Sequence, residues 1–233
     1  MENVGIVLGG GSGKRFGASL PKQFLILKNR PLFLWSIFSF LEHPAIDRIV
    51  FVYNKFFLND TQRILEEYSL SGKIELVEGG QERQLSVYNA LKYLERYDVK
   101  NVLIHDSARP LIDKSLITRI LDCLEECYAC IPVVKLKESI CRVSEHEVLS
   151  IENREQFRIV QTPQGFDYQT IKSAHEEALK NNIRNSFDDS SLVLLKGEKV
   201  RFIDGDPFNI KITYQEDLQI ASFFMNLKNL KGG

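Results

Sequence analysis

Short apolar runs alternate with longer amphipathic stretches along the first half of the chain. Residues 4–8, Val-Gly-Ile-Val-Leu, read as a short buried strand that breaks into a glycine-rich turn. After a short extended piece at 24–28, Pro31 suits the first turn of a helix with Leu32, Trp35, Ile37, Phe38 and Leu41 apolar. Residues 46–53 form the next strand, with Val50, Phe51 and Val52 buried on both faces. Helix 58–69, strand 73–77, helix 86–97, strand 101–105 and helix 115–127 follow. Repeated strand–helix alternation is the signature of an α/β fold with a mostly parallel sheet flanked by helices. Ligands of such sheets bind outside the carboxyl ends of the strands. The turns at Gly9 and Gly79, and Asp106, all follow predicted strand ends, so they are expected to face one crevice.

The pattern changes at residue 135. Residues 138–143 and 147–151 read as two short strands around a polar turn at Ser144-Glu145, an edge hairpin or a protruding β-arm. Helix 169–181, a helical stretch at 191–195, strand 200–203 and a last helix from 215 towards 226 complete the reading. The tail, 228–233, is expected to fray.

At 233 residues the chain is long enough for one large domain, and no linker divides it; a single domain over 1–233 is expected. A net charge of −1 argues against a surface that coats nucleic acid but leaves room for a local basic pocket. Apolar runs stay short of the roughly 18 residues a membrane span needs. Met1-Glu2-Asn3 moves directly into a strand without a basic, then apolar, leader, so a cytoplasmic protein is expected. Cys123, Cys127 and Cys130 fall at i, i+4 and i+7 of a predicted helix and its end, and could share one face. Reduced, half-buried thiols are the expectation, because the set lacks the paired C-x-x-C halves of a zinc site.

The glycine-rich turn carries the chemistry. Gly9-Gly10-Gly11-Ser12-Gly13-Lys14-Arg15 leads on to Pro21-Lys22-Gln23, and Lys14, Arg15 and Lys22 give it a positive field. Backbone N–H groups in such a turn approach an anion closely, and a triphosphate is its natural guest. A P-loop fails, because Leu8 stands at its first glycine and Arg15 follows Gly13-Lys14. The dinucleotide fingerprint fails on glycine spacing. A nucleotidyltransferase turn, Gly-x-Gly-x-Arg followed by Pro-Lys, fits.

With Gly11-x-Gly13-x-Arg15 and Pro21-Lys22-Gln23-Phe24, the chain resembles the cytidylyltransferases of polyol phosphates. The type that acts on 2-C-methyl-D-erythritol 4-phosphate is the nearest, and ribitol-5-phosphate cytidylyltransferase is a near relative. Further matches are Gly79-Gly80-x-x-Arg83-x-x-Ser86-Val87, His105-Asp106-Ser107-Ala108-Arg109-Pro110, Gln161-Thr162-Pro163-Gln164 and Asn209-Ile210-Lys211-Ile212-Thr213. The resemblance implies a Rossmann-like nucleotidyltransferase fold with a β-arm at approximately 135–158 that clasps a second subunit into a homodimer. It implies CTP and a small polyol phosphate as substrates and Mg²⁺ as cofactor, with no nucleic-acid or membrane partner.

Residue roles follow from the same resemblance. Arg15 and Lys22 are expected to grip the triphosphate and stabilise the transition state, with Lys211 also facing the reacting phosphates. Alternation supports Lys211 independently: between Ile210 and Ile212 it points away from the apolar layer. Gly10, Gly11 and Gly13 hold the phosphates. Gly80, Gln81 and Ser86 read the cytosine, and Arg83 orients that segment; Ser86 could equally cap the helix starting there. Asp106 lies by the ribose and α-phosphate, and a carboxylate there suits Mg²⁺, whether or not it binds the ion directly. Ser139, Arg154 and Thr162 hold the acceptor, with Arg154 reaching the partner subunit's site. Two positions depart from the family: Ser139 stands where threonine is usual, and Phe187 replaces a threonine that helps bind the acceptor phosphate. Either Ser186 substitutes for that threonine or the acceptor differs, with ribitol 5-phosphate the alternative; a nucleotide-binding regulatory module without activity is the alternative of another class.

Overall fold

The structure, a computed structural model, describes residues 1–10, 21–184 and 186–231, with side chains described as far as 227. In chain order the elements are β1 (Glu2–Leu8), β2 (Ile26–Leu27), β3 (Arg30–Pro31), α1 (Leu32–Leu41), β4 (Arg48–Tyr53), α2 (Leu58–Glu67), β5 (Glu75–Glu78), α3 (Arg83–Tyr93), β6 (Val99–Asp106) and α4 (Lys114–Leu124). They continue with β7 (Ala129–Lys135), β8 (Ile140–Ser144), β9 (Glu147–Glu152), β10 (Arg158–Val160), β11 (Gln164–Asp167), α5 (Tyr168–Lys180), α6 (Asp189–Leu195), β12 (Arg201–Asp204) and α7 (Glu216–Lys231).

The main sheet has eight strands. β5, β4, β1 and β6 lie side by side and parallel. β11 enters antiparallel between β6 and β7, β10 continues along β7 in the same sense, and β12 runs parallel to β7 on its other side. The strands are apolar because helices cover both faces. Val4, Ile6, Val50, Val52, Val102 and Ile104 pack under α3, α5 and α6. Val7, Ile49, Phe51 and Leu103 point the other way, towards α1, α2 and α4. Gly5 takes part in that second face by lacking a side chain: a Cβ there would stand 2.9 Å from the Phe40 ring of α1. This is a Rossmann-like α/β architecture, mostly parallel at its centre.

Polar side chains fix where several helices begin. Asp113 accepts from the Leu116 N–H at 2.9 Å, Asp167 from Thr170 at 2.8 Å and Asp188 from Ser191 at 2.9 Å. Two expectations are corrected. The helix expected from Ser86 starts at Arg83, so Ser86 lies inside α3 and does not cap it. The three cysteines do not share a helix: α4 ends at Leu124, so only Cys123 lies on it, Cys127 follows its end and Cys130 belongs to β7. All four cysteines are nevertheless unpaired, with Cys123 and Cys127 Sγ 3.6 Å apart. The last helix runs on to Lys231, past the expected onset of fraying; Gly232 and Gly233 lie outside the described residues.

β4 and β5 lie on one side of β1 and β6 on the other, so the connection order reverses between β1 and β6. That reversal opens a crevice at their carboxyl ends. The register sets Leu8 level with Asp106 on one side and with Val52 on the other. β8 and β9 form a separate antiparallel pair off the main sheet, where Val143, Val148, Leu149 and Ile151 are exposed.

Candidate active site

A cavity of about 840 Å³ fills this crevice. Gly10, Lys22, Gly80, Gln81, Arg83, Ser86, Asp106 and Lys211 all line it, drawn from segments far apart in the chain. Gly11, Gly13 and Arg15 lie outside the described residues. Ser139 and Arg154 sit on the arm and do not line the cavity. Thr162 is buried just beneath it, with its hydroxyl holding the Asp106 N–H at 3.2 Å.

The glycines keep the floor low. A Cβ on Gly9 would run into the Phe51 ring, and one on Gly80 into Leu85. The Gly80 N–H donates to Ser86 Oγ at 3.0 Å, and that hydroxyl donates in turn to the Glu82 carbonyl at 3.0 Å. Ser86 thus shapes the Gly79-Gly80 turn from within α3.

Lys211 is delivered by an irregular segment pinned to two strand ends, with no strand at 209–213. Ile212 N–H donates to the Ala108 carbonyl at 2.8 Å, and Asn209 Nδ2 donates to the Thr162 carbonyl at 2.8 Å. Arg109 donates to the Asn209 carbonyl at 2.8 Å and so staples the same segment. Ile212 is buried and Lys211 exposed, although the segment that carries them is not a strand.

The cations meet at Asp106. Lys211 Nζ is 2.6 Å from its Oδ2 and Arg83 Nε 3.3 Å from its Oδ1. Burial alone would raise this carboxyl, but Arg83 and then Lys211 outweigh it and hold Asp106 well below the usual carboxylate range. Arg83 also reaches past Asp106, and its Nη2 pairs with Asp189 at 2.7 Å. Lys22 Nζ donates to the Ile212 carbonyl at 3.3 Å, beside Lys211.

Behind Asp106, His105 is neutral. Its Nε2 lies 2.9 Å from the Arg109 carbonyl, which only accepts, so Nε2 carries the proton and Nδ1 accepts from Thr162 Oγ1 at 3.0 Å. Burial pushes its pKa down to about 4 from an ordinary 6.5. Between those values the unfolded chain binds a proton that the folded chain refuses. The stability contributed by neutral His105 is therefore complete above the unfolded value and is lost as pH falls through this window. Urea unfolding of the native protein is expected to weaken there by up to about 1.4 kcal/mol per pH unit from this one group. The His105→Gln variant should lose that part of the slope; an unchanged slope would assign the acid sensitivity elsewhere.

Lining residues also come from a strand end that sequence reasoning passed over. Asn54, Lys55 and Phe56 follow β4 and form one wall. Asn54 donates to the Gly10 carbonyl at 3.1 Å and accepts from the Phe56 N–H at 3.1 Å, so it locks this wall to the glycine turn. The rule that pointed to the ends of β1, β5 and β6 applies equally to β4.

A cluster of cations around one carboxylate, over a glycine floor at the switch point of a parallel sheet, suits a nucleoside triphosphate. A family model described as "IspD: 2-C-methyl-D-erythritol 4-phosphate cytidylyltransferase" matches residues 4–227. The chain belongs to that family. The 2-C-methyl-D-erythritol 4-phosphate cytidylyltransferase of Clostridium beijerinckii is 39% identical over 224 residues, 94% of this chain and 96% of that protein. Its counterpart from Thermosipho africanus is 36% identical over 232 residues, 99% of each chain. Among solved structures, 4-diphosphocytidyl-2C-methyl-D-erythritol synthase from Anaerococcus prevotii aligns with a TM-score of 0.85 at 29% identity, covering 97% of this chain and 96% of that one. Family membership makes the chain a nucleotidyltransferase. No helix among the described residues is long and apolar enough to cross a membrane.

Proposed function

We propose that this chain transfers the cytidylyl group of CTP to 2-C-methyl-D-erythritol 4-phosphate, giving the CDP-polyol and pyrophosphate for isoprenoid precursor synthesis in the cytoplasm. The observation that carries the reading is the meeting of Lys211, Asp106 and Arg83 beside Lys22 at the ends of β1 and β6. An acceptor phosphate oxygen attacks the α-phosphorus, a new P–O bond forms, and the bond to the bridging oxygen breaks to release pyrophosphate. Two anions must approach and charge moves onto the leaving group, so the protein's work is positioning and charge stabilisation. Lys22 and Lys211, with Arg15 by family resemblance, supply the positive charge. Lys211 is half-exposed and can turn from Asp106 to the phosphates.

The Gly80–Ser86 segment takes the base, since a glycine turn offers backbone groups to a pyrimidine edge. Gln81 lines this end of the cavity as well. Mg²⁺ fits the donors present. Among the described residues no three His, Cys, Asp or Glu side chains gather into a metal cage. Mg²⁺ arriving with a triphosphate needs only one or two carboxylates, and Asp106 is placed to provide one. When bound, the ion neutralises phosphate charge.

For the acceptor, Thr162 would contribute from beneath Asp106, and Ser139 and Arg154 from the arm of a second copy. The exposed Val143, Val148 and Ile151 of the arm are the surface such a homodimer would cover. The whole chain, 1–233, would act as one nucleotidyltransferase domain with the arm at about 135–158. Phe187 is 99% exposed, so it blocks nothing among the described residues, and the neighbouring Ser186 N–H donates to Gln84 Oε1 at 3.2 Å.

Pyrophosphate release from CTP, UTP and ATP with 2-C-methyl-D-erythritol 4-phosphate and with ribitol 5-phosphate tests the reading. CTP with the erythritol phosphate is expected to be the preferred pair. Equal rates with UTP would remove the base assignment, and a far better rate with ribitol phosphate would change the acceptor.

A further inference from the structure

The ion chain at Asp106 continues into the protein, where the transfer reaction has no evident use for it. Arg83 Nη2 pairs with Asp189 at 2.7 Å, and the other Asp189 oxygen lies 3.2 Å from His175 Nε2. Asp189 and His175 are both fully buried. His175 Nδ1 has no hydrogen-bond partner among the described residues, so its one polar contact serves Asp189. Asp189 is held firmly: it opens α6, whose cap Asp188 accepts from Gln164 Nε2 at 2.9 Å, while the Ser190 N–H donates to Gln164 Oε1 at 3.3 Å.

Stability is a weak reason for such an arrangement. Taking a carboxylate out of water is costly, and apolar side chains of similar volume often serve a fold as well or better. What the arrangement does fix is geometry. Arg83 is stretched between two carboxylates and offers each a single nitrogen, Nε to Asp106 and Nη2 to Asp189. A guanidinium with only one carboxylate in reach favours the two-pronged pairing that takes both oxygens. Asp106 Oδ2 would then be covered by arginine, where now it meets Lys211.

We propose that Asp189, backed by His175, is a positioning residue for nucleotidyl transfer: it holds Arg83 off one oxygen of Asp106 and keeps that oxygen open to the reaction crevice. Arg83 stays as the fixed counter-cation of Asp106 when Lys211 turns to the phosphates. The inference rests on the proposed cytidylyl transfer, and native turnover of CTP with the erythritol phosphate is its control.

A double-mutant cycle with Asp106 tests it. In the native background Asp189→Asn is expected to lower kcat per folded protein about tenfold or more, with KM for CTP changed far less. In the Asp106→Asn background the same substitution should cost less than about twofold, because the oxygen it protects has lost its role. Arg83→Lys, which keeps the charge but cannot span both carboxylates, should show the same dependence on background, so the outcome does not rest on one variant folding. Urea unfolding of each variant gives the folded fraction. Losses that multiply equally in both backgrounds, or losses accounted for by unfolded protein, would overturn the proposal. A native chain that turns over no CTP would instead overturn the function on which it rests.

Discussion

Lys22→Ala is expected to lower kcat by about 100-fold or more while the protein stays folded. Lys22 opens a short turn, Lys22–Phe24, whose other two residues are buried. Phe24 anchors that turn through ring contacts with Phe33 at 5.8 Å and Phe57 at 5.6 Å. The backbone there is therefore held by residues the substitution leaves alone. What is lost is an ammonium group on the cavity wall, beside the carbonyl of Ile212 and one residue from Lys211. A preorganised donor acts mainly on the transition state, so the loss should fall on kcat more than on KM for CTP. Arg15→Ala is expected to behave alike on the family resemblance. Steady-state kinetics alongside thermal unfolding by circular dichroism decide the matter. Activity that falls only as folded signal falls would make Lys22 a structural residue.

Much of this site was legible before any coordinates because its parts are local. A strand ending in glycines and a carboxylate at a strand end each declare their position through local sequence pattern, and the lysine between two isoleucines is marked by its apolar neighbours even though its segment is not a strand. The structure then brings Gly10, Lys22, Gly80, Asp106 and Lys211 to one cavity. What was not legible depends on contacts between remote segments. Nothing near Asp189 signals that it pairs with Arg83, since the two lie more than a hundred residues apart and meet only in the tertiary structure. The start of α3 was misplaced for a related reason. Glu82 precedes it without a side-chain cap, whereas Ser86 looks like one, yet its hydroxyl is used inside the first turn. Cys130 was assigned to a helical face by spacing alone, but α4 ends before it and the chain extends into β7. Asn54 could have been found from the strand-end rule; its two hydrogen bonds, to the Gly10 carbonyl and from the Phe56 N–H, could not.

Arg154 gives the last test, because its place on the arm separates two kinds of site. It sits in a short turn, Arg154–Gln156, with Asn153 accepting from the Glu155 N–H at 3.1 Å. Its Nη1 donates to the Lys137 carbonyl at 2.6 Å, and its side chain remains substantially exposed. It does not line the cavity of its own chain, so a role in acceptor binding requires that it reach another copy's cavity. Arginine there would grip the acceptor phosphate with two parallel hydrogen bonds. Arg154→Ala and Lys22→Ala chains are each expected to be nearly inactive alone. Unfolded and refolded together in equal amounts, they should form heterodimers in which one site has both wild-type residues and the other has neither. Random pairing makes about half of all dimers heterodimers, each with one intact site of two, so activity should return to roughly a quarter of wild type. Differently tagged chains allow the heterodimer fraction to be counted directly. Activity that stays at the level of the single variants while heterodimers are present would place Arg154 in its own subunit's site, or outside any site.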